Sequence, residues 1–398
     1  MIRPGASHGA VVVLVLMLAT APVWQGRAAL FPEAARAALD LDGYVVTDPG
    51  AGYLDVAARR ALLAETSDPI LRAQMARLGR EVGCAGKLDM PVIDDELWLP
   101  SPYDELKAWR AAVQPIYAFE DAVSALAGGF VATGEPAFAD CLLDLLGQWA
   151  KADALMRFHH APRELQPWFN IEHMLFAAGL AWSVVRDQLP GRAADKQRID
   201  DWLVRAARNH LAIPTGPSSC CNNHLYRRAL YATIIGVLAG DDRLFQVGVG
   251  ALLAALHELT EEGAFPREVA RGERAAHYQN YGLLYLVPIA QIIERQGYPA
   301  FELSVDGRGL RDAVGFAIDV LEDPARLGDL APREQDLWFM EDDQYFAWME
   351  IWLSRFDAPR LERFVAPYRP VHNRSAGGYV TLFFWDPAKI PEVSRSPR

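Results

Sequence analysis

Two short blocks of this sequence bring together side chains that can act on an acidic sugar. The first reads Cys220-Cys221-Asn222-Asn223-His224-Leu225-Tyr226. The second, nearly fifty residues later, reads Arg271-Gly272-Glu273-Arg274-Ala275-Ala276-His277-Tyr278-Gln279-Asn280-Tyr281. Together they offer an amide, an imidazole, a guanidinium and a phenol. Removing the proton α to a carboxylate is hard because the product is a dianion, so a catalyst must neutralise the carboxylate and stabilise the enolate. Asn223 can donate an amide hydrogen bond, Arg271 adds a fixed charge, and His224 donates or accepts according to its protonation. Tyr278 can exchange a proton with C5 or with the leaving glycosidic oxygen, given cations nearby. Plainer roles stand beside these. His257, Tyr281 and Tyr285 read as core residues on apolar helices, Asn222 as a helix cap, and Arg228 and Arg274 as ordinary surface charges.

A third segment, Gln166-Pro167-Trp168-Phe169-Asn170, mixes amides with flat rings, as sugar sites do. Gln166 and Trp168, with Tyr103 and Tyr345 from elsewhere in the chain, are candidates to hold sugar rings. Arg227, Arg228, Arg267, Arg271 and Arg274 form a basic gathering that could face a polyanion. Metal chemistry finds little support. His257-Glu258 is not followed by the second histidine that the zinc-protease spacing needs. His159-His160 and Glu172-His173 are isolated pairs. No glycine-rich phosphate loop or nucleophile elbow stands out. The expectation is a site without metal or cofactor.

The elements that must position these groups are helical. Apolar residues recur at three-to-four spacing over 106–128, 137–155, 172–188, 194–212, 225–239, 244–262, 278–296, 310–321 and 343–356. Gly and Pro turns separate them. One segment, 378–385, reads as a strand. Successive helix-turn-helix units predict an all-α fold, a single α/α barrel-like toroid with its cleft on one face. Residues 84–103, rich in proline and acids, read as a lid or as an N-terminal wrap. The polar tail after Pro387 reads as frayed.

The first 28 residues read as a secretory leader: Arg3, then an apolar run from Ala10 to Ala21, then small residues around Gly26 and Ala28. That run is too short to span a bilayer comfortably, and no later stretch reads as a membrane span. The remainder is expected to be one domain in the periplasm or outside the cell, with no stable membrane insertion. The formal net charge of −12 becomes more negative without Arg3 and Arg27, which disfavours nucleic-acid binding. Four cysteines in an exported chain suggest disulfides, with three possible pairings.

The two central blocks resemble motifs of the alginate lyases of polysaccharide lyase family 5. There an Asn-Asn-His-x-Tyr-Trp motif precedes an Arg-x-x-Arg-Ala-x-x-Tyr-x-Asn-Tyr motif by a similar distance. Between them, Gly263-Ala264-Phe265-Pro266-Arg267-Glu268 resembles a further block of that family. Tyr345-Phe346-Ala347-Trp348-Met349-Glu350 and Gly377-Gly378-Tyr379-Val380-Thr381 resemble two more. The resemblance implies an incomplete α/α barrel that works by β-elimination without a cofactor. It implies that Asn223, His224 and Arg271 bind and neutralise the carboxylate, and that Tyr278 is the acid and, for mannuronate, also the base. It also implies the pairings Cys84–Cys141 and Cys220–Cys221. Two positions depart from the pattern. Arg227 stands where relatives place a ring, which suggests a charged sugar contact and a polymer other than plain polymannuronate. The family's lid lysine falls near Pro102, and the nearest lysines are Lys87 and Lys107.

The resulting expectation is a polysaccharide lyase that cleaves a 1,4-linked uronate polymer and leaves 4,5-unsaturated ends. Alginate is the first substrate, and glucuronan or another acidic exopolysaccharide the second. A biosynthetic exopolysaccharide machine is an expected partner. A non-catalytic polysaccharide-binding or export protein is the rival reading. A glycoside hydrolase of the α/α type comes third, because no pair of carboxylates is marked for it.

Overall fold

Helices that are apolar on nearly every side form an inner ring, and amphipathic helices pack outside them. Gln166–Val185 is the clearest inner helix: all but a few of its residues are buried, around its whole circumference. A helix that is apolar all round has no face for water and must be surrounded by protein. Gln114–Thr133, Asn223–Ala239 and Ala275–Arg295 are built the same way. The outer helices Pro136–Lys151, Ala193–Leu211, Asp242–Glu258 and Leu310–Glu322 bury one stripe only. In Ala193–Leu211 that stripe is Ile199, Trp202, Leu203, Ala206, Ala207 and His210, with Asp200 buried beside it.

Each inner helix packs on the next inner one and on its outer partner in the hairpin, which makes an α/α toroid. Close approach needs small residues. A Cβ on Gly179 would lie 2.8 Å from Ile234 Cγ2, so only glycine lets Gln166–Val185 sit this near Asn223–Ala239. Ala347–Leu353 continues the inner ring beyond Ala275–Arg295.

The structure, a computed structural model, describes residues 30–389 apart from 82, 103, 162, 163, 217, 218 and 375. The leader-like segment, the end of the polar tail and Tyr103 lie outside the described residues.

The segment expected as a strand is a short helix, Val380–Phe384. All five of its residues are buried, so no alternation of faces existed to separate strand from helix. It packs against Ala347–Leu353 and against Gln114–Thr133, closing the gap in the ring. Arg59 caps it, donating from Nε to Leu382 O and from Nη1 to Trp385 O. The helix expected over 106–128 divides into Leu106–Ala112 and Gln114–Thr133, where Pro115 opens the second piece. Part of the irregular 84–103 segment is tied down. Leu97 N–H donates to Arg157 O, His159 N–H to Leu97 O and Leu155 N–H to Ile93 O. Those bonds make this part a wrap along 155–159.

Candidate active site

Contacts of Phe169 with His224, Asn223 with Glu268 and Tyr281 with Tyr345 put the starts of the inner helices side by side. Their N-termini share one mouth of the toroid, where the positive ends of the helix dipoles favour an anion. The first turns of Gln166–Val185, Asn223–Ala239 and Ala275–Arg295 bring most of the candidate residues there.

Asn222 caps its helix, accepting from His224 N–H at 3.2 Å. Asn223 is 1% exposed and Glu268 is fully buried. Asn223 donates its backbone N–H to Glu268 Oε1 at 2.5 Å and its Nδ2 to Glu268 Oε2 at 2.9 Å. That clamp leaves one Nδ2 hydrogen for another acceptor. Burial pushes the Glu268 carboxyl up to about 7, against the pull of the two Asn223 bonds and of Arg271.

His224 lies flat on Phe169, with ring centroids 4.1 Å apart and 16° between planes. Its Nδ1 is buried and makes no hydrogen bond among the described residues. Burial, and then Arg227, Arg228 and Arg271, hold its pKa well below the usual imidazole range. The ring is therefore neutral at pH 7, able to donate from one nitrogen and accept at the other. His173, two turns into the neighbouring helix, is held neutral by burial and then by Arg227 and His224.

Arg227 and Arg228 belong to a buried cluster. Glu172 is fully buried, with Arg227 Nε 3.0 Å from Oε2 and Arg228 Nη1 3.3 Å from Oε1. Arg227 also donates to Phe169 O at 2.6 Å, and its guanidinium lies over the Phe169 ring. With the carboxylate ionised the cluster carries one net positive charge, which favours neutral histidines and an anionic ligand beside it.

Three sequence expectations change here. Arg227 is 6% exposed and engaged on both sides, so it is not a charged sugar contact. It holds the ring that His224 stacks on. Arg228, expected at the surface, is 2% exposed, pairs with Glu172 and donates to Ser219 O. Trp168 is 1% exposed, stacked against His210 at 5.3 Å with Arg228 at 4.9 Å from its ring centre. It has no free face for a sugar. The apolar, aromatic pattern of 166–170 does not distinguish Trp168 from Phe169, and the helix phase puts the second ring at the site.

Arg271, just before the third helix, and Tyr278, in its first turn, complete the group, and the Arg271 charge acts on both His224 and Glu268. Arg271 is exposed, and its Cζ lies 4.7 Å from the centre of the Tyr278 ring. Gly272 makes the turn between them at φ +64, a conformation that disfavours a side chain. Gln335 holds this turn, donating to Gly272 O at 3.0 Å and accepting from Ala276 N–H at 2.9 Å. Tyr281 stands edge-on to both Tyr278 and Tyr285, at 6.2 and 5.0 Å. Asn280 is structural, joining Trp348 Nε1 to Tyr345 O.

Among the remaining candidates, Arg274 is exposed beside His277, whose imidazole burial and that cation hold down at about 4. Gln166 is half-buried one turn before Phe169. Tyr345 is half-buried, 5.0 Å from His277 and 6.2 Å from Tyr281 ring to ring. Cys84 is bonded to Cys141 and Cys220 to Cys221, the second pair two residues before Asn223. Sequence reasoning named Glu172 and His173 only as an isolated metal-type pair and Phe169 only within the segment 166–170, with no role at the site for any of them. Glu268 entered it only within a family block, with no role attached.

A family model for alginate lyases matches residues 98–327. A polysaccharide lyase of Stenotrophomonas maltophilia is 29% identical over 69% of this chain and 80% of its own. An alginate lyase of Pseudomonas entomophila is 30% identical over 70% of this chain and 76% of its own. Alginate lyase A1-III of a Sphingomonas species superposes with a TM-score of 0.80 at 33% identity, over 88% of this chain and 99% of its own. Variants of that protein lacking a histidine or a tyrosine have been solved with a tetrasaccharide. A family match over more than half of the chain, with relatives this similar over two thirds of it, establishes that the chain belongs to the alginate lyase family and is a polysaccharide lyase.

Proposed function

We propose that this lyase cleaves a 1,4-linked polyuronate, polymannuronate first, by β-elimination. The observation that carries the reading is that Arg271, which lies over the Tyr278 ring, also acts electrostatically on His224 and on the Glu268 that clamps Asn223. Asn223, His224 and Arg271 bind the substrate carboxylate and spread the charge of the enolate. Tyr278 Oη, as phenolate, takes the C5 proton. The C4–C5 double bond forms as the C4–O4 bond breaks, and Oη returns that proton to O4. The leaving oxygen and the C5 proton lie on the same side in β-mannuronate, so one phenol serves both transfers. The tetrasaccharide complex of a variant of the Sphingomonas relative supports an oligosaccharide as the ligand here.

Arg227, buried against Glu172, no longer speaks for a polymer other than polymannuronate; the departure at Pro102, where relatives place a lid lysine, stands. The reading includes export: the leader-like first 28 residues and two bonded cysteine pairs support action in the periplasm or outside the cell. There the enzyme would meet exopolysaccharide and the machinery that makes it. The test is incubation with pure polymannuronate, polyguluronate and polyglucuronate, followed in the ultraviolet. Unsaturated ends on polymannuronate are expected. Saturated ends would indicate hydrolysis, and binding without product would indicate the non-catalytic alternative.

A further inference from the structure

Resting on that reading of the substrate as an acidic polysaccharide, we propose that Trp338 forms the floor of a further sugar subsite, outward from the reacting residue. The occupant is another uronate ring of the same polymer. Trp338 opens the short turn Trp338–Glu341 and is 47% exposed. One exposed apolar residue alone needs no explanation; the placement of this one does.

Trp338 stands 5.3 Å from Tyr345 at 88° and 5.1 Å from His277 at 50°. Neither ring is stacked on the indole, and nearly half of its surface is open. Tyr345 stands between Trp338 and the ring of Tyr281. A line of rings therefore runs from the helix of the reacting phenol out along the rim. The segment that carries Trp338 is tied to the turn that carries Arg271. Asp336 N–H donates to Glu273 O at 2.7 Å, and Gln335 adds its two bonds to Gly272 and Ala276. The indole is thus fixed relative to the reacting groups.

The charge on this rim narrows the occupant. Arg271, Arg274 and Arg333 are exposed and make no ion pair among the described residues, and Arg333 runs alongside Gly272. Glu273, Glu334 and Asp336 lie on the same two segments, so the charges cancel. Attraction to a polyanion does not by itself hold a ligand here. The indole supplies a flat face for the C–H side of a pyranose, and a guanidinium orients its carboxylate. A ring with both features is a uronate.

The experiment compares wild type, Trp338→Ala, Trp338→Leu and Trp338→Phe on mannuronate oligomers of defined length. The ratio of kcat/KM on long chains to that on the shortest cleaved chain should fall about tenfold in the Ala and Leu variants, in line with losing one aromatic contact. The Phe variant should recover most of it. A ratio that stays at the wild-type value in the folded Ala and Leu variants overturns the proposal. So does an equal loss at every length, which would mark Trp338 as structural. If wild type releases no unsaturated product from any polyuronate, the functional reading fails instead. Calorimetric binding of the same oligomers then decides the subsite: a length-dependent loss of affinity in the variants supports it, and equal affinity overturns it.

Discussion

Glu268 accepts two hydrogen bonds from Asn223, one from the backbone N–H and one from the side-chain amide. A carboxylate has acceptors for both, whereas a protonated carboxyl must turn one oxygen into a donor. The carboxyl titrates at about 7. As pH falls through that value the clamp on Asn223 loosens, and kcat/KM should decline along an acid limb centred near it. Stability should move the other way. The folded-state pKa lies above the ordinary carboxyl value, so the contribution of Glu268 to stability is complete below that ordinary value and is lost as pH rises through about 7. Glu268→Gln should remove this acid limb and lower kcat/KM by up to about 100-fold through misplacement of Asn223. Rate and melting profiles against pH check both signs, and an acid limb that persists in Glu268→Gln excludes the assignment.

Tyr278→Phe should reduce turnover at least ~100-fold while leaving folding and oligomer binding nearly intact, because it removes the group proposed to move both protons. The variant is compared by product absorbance, circular dichroism and calorimetry. Near-normal turnover in a folded variant would remove Tyr278 from the mechanism.

Arg227→Trp should cost stability, not retune specificity. It leaves Glu172 buried with Arg228 as its remaining partner and puts an indole into a packed interior. The expected loss is about 3 kcal/mol, at the lower end for breaking a buried ion pair because one guanidinium stays. Urea unfolding measures it. The ratio of activity on polymannuronate to that on polyglucuronate should stay unchanged; a shift toward polymannuronate would restore the charged-contact reading.

Non-reducing peptide mapping should recover Cys84 with Cys141 and Cys220 with Cys221. The first bridge closes 57 residues, and replacing both its cysteines with Ala should lower stability by about 4 kcal/mol on the chain-entropy account. The second joins neighbours and closes almost no loop. Cys220→Ala with Cys221→Ala should therefore leave the melting temperature nearly unchanged and lower activity through the segment that leads to Asn223. Crossed pairs in the map, or equal destabilisation by both replacements, would contradict this.

Much of the site was legible in the sequence because its residues stand in two local blocks. Asn223 and His224 begin one helix, Arg271 and Tyr278 bracket the start of another, and a helix start is marked by its cap and its glycine turn. The inner and outer helices were legible too, since three-to-four spacing survives without knowledge of partners, although helix ends shifted where Pro115 intervened. What the tertiary structure alone decided concerns groups whose role depends on a distant neighbour. Glu172 looks like one acid among many until Arg227 and Arg228, from the next inner helix, close on it. Trp168 and Phe169 are adjacent rings, and only the packing of Gln166–Val185 turns one into the core and the other under His224. The apolar run 380–384 is buried on every side, and a uniformly buried segment carries no periodicity from which helix or strand could be told. Local patterns record which way a residue faces, while charge state and contact are set by what lies opposite, and that is fixed only when the ring of helices closes.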